Sequence, residues 1–177
     1  PVLAAASGRA SAQDSRGQLV SVTPLRTLPT VAAARSELEA DGFDPSAARY
    51  GARSFRLVYR TVDAARRPTT ASGLMVLPAG GARQLSVVSY THGTEIYRGD
   101  APSMQPTGFG PAPAYTFASA GFAVSAPDYL GLGTGPALQP YMDLPSETTA
   151  ALDMLRAVRH YLVAHGGPAV VTDPRFH

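Results

Sequence analysis

The stretch VVSYTHGTEI, residues 87–96, begins as a strand and ends as a polar corner. Its small and β-branched residues stop at His92-Gly93-Thr94, which is too short for a helix and too free in its backbone for a strand. Ligands of open α/β sheets bind beyond the carboxyl ends of the strands. A corner at Gly93 can therefore aim the N–H groups of Thr94 or Glu95 into a cleft, where they would stabilise a developing oxyanion. The alternative is a plain turn.

Segments on both sides of this corner carry helix and strand patterns. Their order predicts an α/β fold with a mostly parallel sheet, an N-terminal hairpin and flanking helices joined by right-handed crossovers. The segments are a helix over 30–42, hairpin strands over 54–63 and 69–80, a strand over 84–92, a helix over 113–121, a strand over 122–129 and a helix over 146–167.

Several local signals support these assignments. Thr30 stands where an N-cap is expected and Gly42 where a left-handed residue would end the first helix. Ser146 is expected to cap the last helix, and the uniformly apolar strand over 84–92 is expected to be buried on both faces. The inward stripe predicted for the last helix consists of Ala151, Leu152, Leu155, Val158 and Leu162.

A second corner, APDYLGLGTG over 126–135, follows the next strand. We expect Asp128 to accept hydrogen bonds from N–H groups of its own loop, and Gly131 and Gly133 to allow a tight turn. The spacing G-x-G-x-G differs from the G-x-G-x-x-G of dinucleotide sites, which argues against that function.

Composition excludes several classes of protein. The chain has 177 residues, 45% of them hydrophobic, but no apolar run of the roughly 20 residues that cross a membrane. The net charge is +2 and the 15 basic residues, all arginine, are scattered, so no nucleic-acid partner is expected. Without cysteine, and without an HExxH motif among four histidines, no disulfide or metal site is expected.

Residues 1–18 are interpreted as a flexible leader or signal-peptide remnant, so the protein is expected to be secreted or extracytoplasmic.

The two corners and their surroundings, FRLVYRTVD, ASGLMVLPAG, VVSYTHGTEI, GFAVSAPDYLGLG and ETTAALDMLRAVRHYL, resemble the α/β-hydrolase superfamily. Within it the chain is similar to the secretory lipase and esterase branch, which contains fungal lipase A-type enzymes and bacterial homologues. The resemblance covers roughly residues 30–177, so residues 19–177 are interpreted as the N-terminal part of one domain. It implies a spatial strand order in which the strand over 122–129 lies between those over 69–80 and 84–92.

The resemblance also implies a serine-dependent carboxylic ester hydrolase, an esterase or lipase, that needs no cofactor. The backbone of Gly93, Thr94 and Glu95 would supply the oxyanion loop. The cleft wall would be formed by His92, Asp128, Tyr129, Gly131 and Gly133.

No G-x-S-x-G motif occurs in the 177 residues, so the resemblance places the nucleophile, acid and base outside this chain. His160 and His165 are interpreted as structural or solvent-facing. The expected partners are an ester or lipid-like substrate and a C-terminal half, in the same or a separate chain. A peptidase, an acyltransferase and a non-catalytic ligand-binding domain remain alternatives on this fold.

Overall fold

In the computed structural model, residues 15–80, 84–105, 107–165 and 169–170 are described. The helices are α1 (Val31–Ala40), α2 (Ala112–Ser119) and α3 (Leu144–Ala164), and a 3₁₀ turn covers Arg98–Asp100. The strands are β1 (Leu19–Leu28), β2 (Gly51–Val62), β3 (Pro68–Ala79), β4 (Gln84–Leu85), β5 (Val87–Ser89), β6 (Ala123–Pro127) and β7 (Ala169–Val170). The predicted helices and the hairpin are confirmed.

Five of the strands form one mixed sheet in the order β1-β2-β3-β6-β5. The position of β6 between β3 and β5 confirms the order implied by the resemblance. The pairings β1–β2, β2–β3 and β3–β6 are antiparallel, and β5–β6 is parallel. In the described part of the sheet, parallel pairing is thus confined to β5–β6, because the hairpin and β1 make up the other side; the short strands β4 and β7 pair in parallel in a sheet of their own.

Helices cover both faces of the large sheet and produce two apolar cores. On one face α3 packs Met154, Ala157, Val158 and Leu162 against Met75 and Leu77 of β3 and their neighbours. On the other face α1 and α2 pack against Leu74 and Val76 of the same strand. Strand β3 is therefore buried on both sides, which explains its continuous apolar run.

The ends of the helices follow local capping rules. Thr30 caps α1 by accepting a hydrogen bond from the N–H of Ala33 at 3.1 Å, and Gly42 is left-handed, both as predicted. The prediction that Ser146 caps α3 was wrong. Asp143 is the cap and accepts from the N–H of Ser146 at 3.2 Å, since the helix begins earlier, with a proline in its first turn.

This earlier start accompanies a different buried stripe on α3. Of the five residues predicted to face inward, Val158 and Leu162 are buried, whereas Leu152 is exposed. The buried polar residue Asp153 and the neighbouring Met154 take the inward positions that an apolar pattern assigned to Leu152 and Leu155. The prediction was wrong at these two positions because a carboxylate with ion-pair partners was not expected to point inward.

The strand over 84–92 is shorter than predicted and is interrupted at Ser86. It forms β4, which pairs with β7, and β5, which pairs with β6. Val87 and Val88 are half-buried and Ser89 is exposed. The expectation of burial on both faces was therefore wrong, because β5 is the last strand in the described sheet order.

Residues before Leu19 already contact the folded domain. The guanidinium of Arg16 pairs with the carboxylate of Asp153 in α3 at 2.9 Å, and the N–H of Gly17 donates to the backbone carbonyl of Arg60 at 2.8 Å. Residues 15–18 of the predicted leader thus contact the fold, and residues 1–14 lie outside the described ones. The helices of the described part include none that combines the length and apolarity needed to cross a membrane.

Candidate functional site

The loop after β5 presents free backbone donors. Tyr90 still pairs with β6 through its N–H and the carbonyl of Ser125 at 2.9 Å, and the chain then continues without regular structure to Tyr97. Within the described residues, no hydrogen bond uses the N–H of Gly93, Thr94 or Glu95. These are the residues predicted to form an oxyanion loop, and their N–H groups are available to a ligand.

His92 fixes the beginning of this loop. The side chain is only 8% exposed, and its Nδ1–H donates to the carbonyl of Gly93 at 2.8 Å. Its other nitrogen, Nε2, is buried without a partner among the described residues. The ring lies 4.5 Å from the ring of Tyr129, centroid to centroid, with a tilt of 40°. The two corners predicted from the sequence therefore meet at one edge of the sheet, beyond the carboxyl ends of β5 and β6, which is called the rim.

Tyr129 brings the second corner to this rim with an unusual backbone. Its φ is +67°, a left-handed conformation that is uncommon for an aromatic residue and persists only where the surroundings impose it. Burial raises the pKa of the Tyr129 phenol, and a hydrogen bond with Thr91 acts in the opposite direction. Strained residues of this kind concentrate at functional sites, so the conformation is consistent with a site here.

Asp128 lies behind the rim instead of on it. Its carboxylate is completely buried and accepts three hydrogen bonds, from the hydroxyl of Ser72 at 2.6 Å, the N–H of Ser103 at 2.9 Å and the hydroxyl of Ser103 at 2.5 Å. Burial raises the pKa of the Asp128 carboxyl, while these hydrogen bonds oppose the rise. The expectation that Asp128 caps its own loop was wrong, because its partners belong to β3 and to the loop after the 3₁₀ turn.

The two glycines of the second corner are required by close packing. At Gly131, with φ of +76°, a β-carbon would collide with the backbone of Leu138 and Gln139. At Gly133, with φ of +58°, it would collide with the side chains of Asp128 and Ser72. Both glycines thus allow the close packing of the second corner against its neighbours. Neither lines the cavity described next.

A cavity of about 230 Å³ opens where the two corners meet. Five of the eight predicted site residues line it: His92, Gly93, Thr94, Glu95 and Tyr129. The rest of the lining was not predicted from the sequence. Leu132 comes from the second corner, and the others come from the segment before α3 and its first turn: Gln139, Tyr141, Met142, Leu144 and Glu147. The signal that could have indicated this part of the lining is the apolar character of Tyr141, Met142 and Leu144, which are exposed in the loop before α3 and its first turn.

The two serines that bind Asp128 were also not predicted. They gave no local signal, since Ser72 lies 56 residues and Ser103 25 residues away from Asp128 in the sequence.

The other two histidines of the described part, His160 and His165, lie elsewhere. The Nδ1 of His160 is 3.0 Å from the carbonyl of Gly17, and His165 stacks on Tyr161 at 4.2 Å. Both are exposed, as expected for structural or solvent-facing residues. Across the described residues, no group of three or more histidine, aspartate or glutamate side chains is placed to hold a metal ion.

No protein-family model and no curated protein matches the chain. Among solved structures, a candidate hydrolase from Legionella pneumophila is 27% identical with a TM-score of 0.73, and the alignment covers 85% of this chain and 41% of that one. The fold is that of the N-terminal half of an α/β-hydrolase.

Two further α/β-hydrolases support this assignment. The rice cell wall degrading esterase LipA from Xanthomonas oryzae is 27% identical with a TM-score of 0.70, covering 88% of this chain and 41% of the esterase. Candida antarctica lipase A, at 19% identity and a TM-score of 0.50, covers 84% and 32% and agrees in fold alone. The predicted resemblance to α/β-hydrolase esterases and lipases is confirmed. The chain spans about 41% of the length of the first structures it matches.

Proposed function

We propose that the complete protein is a serine-dependent carboxylic ester hydrolase and that this chain supplies its scaffold and oxyanion loop. The observation that carries the proposal is the cavity at the rim, where Gly93, Thr94 and Glu95 have unused N–H groups beside the Tyr129 corner. The similarity to an esterase and to a candidate hydrolase supports the reaction class.

The proposed chemistry assigns the free amides a defined role. A serine oxygen attacks the ester carbonyl, and the carbonyl oxygen acquires negative charge in the tetrahedral intermediate. Backbone donors at Thr94 and Glu95 stabilise that charge; the alcohol then leaves and water releases the acid from the acyl-enzyme. The serine, acid and base are proposed to come from sequence outside this chain, because no G-x-S-x-G motif is present in it.

The walls of the cavity favour an apolar acyl or alcohol group. Tyr141, Met142 and Leu144 line the cavity and are at least 60% exposed, so an ester or lipid-like substrate could cover them. The other proposed partner is the C-terminal half of the protein, in the same or a separate chain. We also propose a secreted or extracytoplasmic location, with the part of the predicted leader before residue 15 as the end of a leader and the rest of the chain as the N-terminal part of one domain.

The proposal is tested on the complete protein with short and long p-nitrophenyl esters, with and without a serine-reactive phosphonate. Hydrolysis abolished by the phosphonate is expected. Hydrolysis that is insensitive to the phosphonate argues against a serine mechanism. A protein that binds the esters without turnover would indicate the ligand-binding alternative, and faster transfer to amines or alcohols than to water would indicate an acyltransferase. Cleavage of p-nitroanilide peptides in preference to the esters would indicate a peptidase.

A proline substitution tests the oxyanion loop directly. Thr94→Pro removes one backbone donor, whereas Thr94→Ala keeps it, and the flexible Gly93 precedes both. Loss of one oxyanion donor lowers kcat by about 10²–10³-fold, so Thr94→Pro should fall by this amount while Thr94→Ala stays close to wild type. Equal kcat values for the two variants would remove Thr94 from the role of donor.

A further inference from the structure

A segment before α3 separates two cavities. This segment, residues 136–142, is called the strap. Its residues Gln139, Tyr141 and Met142 line the cavity at the rim. Its residues Pro136, Ala137, Leu138 and Pro140 line a second cavity of about 550 Å³ against the turn between β2 and β3. Gln139 and Leu138 thus face different cavities from adjacent positions.

The strap is attached to both corners of the site. Its backbone at Leu138 and Gln139 passes so close to Gly131 that a β-carbon there would collide with it. The side-chain amide of Gln139 then crosses to the oxyanion loop and donates to the carbonyl of Glu95 at 2.8 Å. This hydrogen bond joins residues 44 positions apart and directly connects the strap with the loop.

The two ends of the oxyanion loop are held in similar ways. The carbonyl of Gly93 accepts from the ring of His92 and the carbonyl of Glu95 from Gln139. Because a peptide unit is planar and trans, fixing its carbonyl also fixes the N–H on its other side. The held peptide after Gly93 carries the N–H of Thr94, and the held peptide after Glu95 carries the N–H of Ile96. The peptide that carries the N–H of Glu95 therefore lies between two fixed peptides.

We infer that Gln139 is a positioning residue for the oxyanion loop, acting from the strap through the carbonyl of Glu95. The inference rests on the proposed function. Without the Gln139 hydrogen bond, the peptide after Glu95 can rotate, so the neighbouring peptide that carries the N–H of Glu95 is no longer restrained on that side and this donor loses its fixed direction. Donors that are not aimed in advance stabilise the charge of the transition state less, while contacts with the ground-state ester are retained. The expected signature is a lower kcat with little change in KM.

The test uses the complete protein with two variants at Gln139 and one control. Gln139→Leu removes the amide and has no hydrogen-bond donor. Gln139→Glu has the same shape but, when ionised, no proton to donate to a carbonyl. Leu138→Ala is the control, because Leu138 is 93% exposed and faces the second cavity. The measurements are kcat and KM for a p-nitrophenyl ester, the rate of phosphonylation and the pH profile.

We expect kcat to fall about tenfold in Gln139→Leu and Gln139→Glu, with KM within twofold and with phosphonylation slowed in parallel, whereas Leu138→Ala stays within twofold in all three. The ratio of kcat of Gln139→Glu to wild type should rise as pH falls through the ordinary glutamate range, because the protonated carboxyl regains a donor. A merely structural role would not produce this pH dependence.

Failure of the inference can be told apart from failure of the proposed function. A wild-type protein that hydrolyses esters and reacts with the phosphonate, together with Gln139 variants whose kcat is within twofold, overturns the inference alone. A change confined to KM also overturns it, since Gln139 would then be a wall residue that contacts substrate. A wild-type protein without phosphonate-sensitive hydrolysis overturns the proposed function itself. Phosphonylation is scored per mole of reactive protein, so partial misfolding of a variant does not mimic the expected result.

Discussion

Replacing Gly133 with alanine tests whether the buried Asp128 network holds the second corner together. Gly133 has φ of +58°, and a β-carbon there would collide with the carboxylate of Asp128 and the hydroxyl of Ser72. That hydroxyl also accepts a hydrogen bond from the N–H of Thr134 at 2.9 Å. The added methyl group must therefore displace two members of a buried network, in addition to adopting a left-handed backbone.

The expected loss of stability follows from these two contributions. A left-handed conformation costs a non-glycine residue about 1–2 kcal/mol. Weakening a hydrogen bond to a buried charged group costs about 1.5–3 kcal/mol. Gly133→Ala should therefore lower the free energy of unfolding by about 2.5–5 kcal/mol. Ester hydrolysis by the complete protein should fall with it, because Tyr129 is adjacent to Asp128.

Gly42→Ala is a matched control. Gly42 has a similar φ of +79° but no atom within 4 Å of the position of its β-carbon, so only the backbone contribution applies, about 1–2 kcal/mol. Both variants of the complete protein are unfolded with urea and followed by circular dichroism. If the two lose equal stability, the network around Asp128 does not restrain the corner and the packing argument is wrong.

Three further outcomes are expected. Because burial holds the pKa of Asp128 above its ordinary value, this carboxyl stabilises the fold at low pH and the contribution is lost as pH rises through the folded-state pKa. The unfolding free energy of wild type relative to Asp128→Asn should thus increase as pH falls; parallel profiles contradict this. Asp153→Ala should cost about 2–4 kcal/mol, since Asp153 is fully buried and binds Arg16, Arg156 and Thr61. In the same variant trypsin should cleave after Arg16 faster than in wild type. The control Asp63→Ala breaks an ion pair with Arg67, which is 78% exposed, so it should cost less stability than Asp153→Ala and leave cleavage after Arg16 unchanged.

Local signals in the sequence were sufficient for most of the fold. Thr30 and Gly42 predicted both ends of α1, and the apolar runs with the AARRP turn predicted the hairpin, because caps and turns act over a few residues. Strand β1 was not assigned from sequence. It is mostly exposed and contains register shifts near Leu19 and Pro24, so it shows no clean alternation of apolar and polar residues.

The site was predictable only where its residues are close in sequence. The corners at His92–Glu95 and at Tyr129 lie directly after strands, and strand topology brings them to one rim. The serines that bind Asp128 and the strap residue that binds Glu95 are contributed from distant parts of the chain. No spacing rule specifies such contacts, since they depend on the tertiary packing of loops.

Strand β3 separates the two apolar cores, so side chains of adjacent residues in this strand point into different cores. Leu74 belongs to the core beneath α1 and α2, and Met75 to the core beneath α3. Isotope-labelled methyl groups at these two positions would be separate spectroscopic probes a single residue apart. Loosening of one helical layer, as on titration with denaturant, would broaden the resonance of one probe while the other kept its native chemical shift.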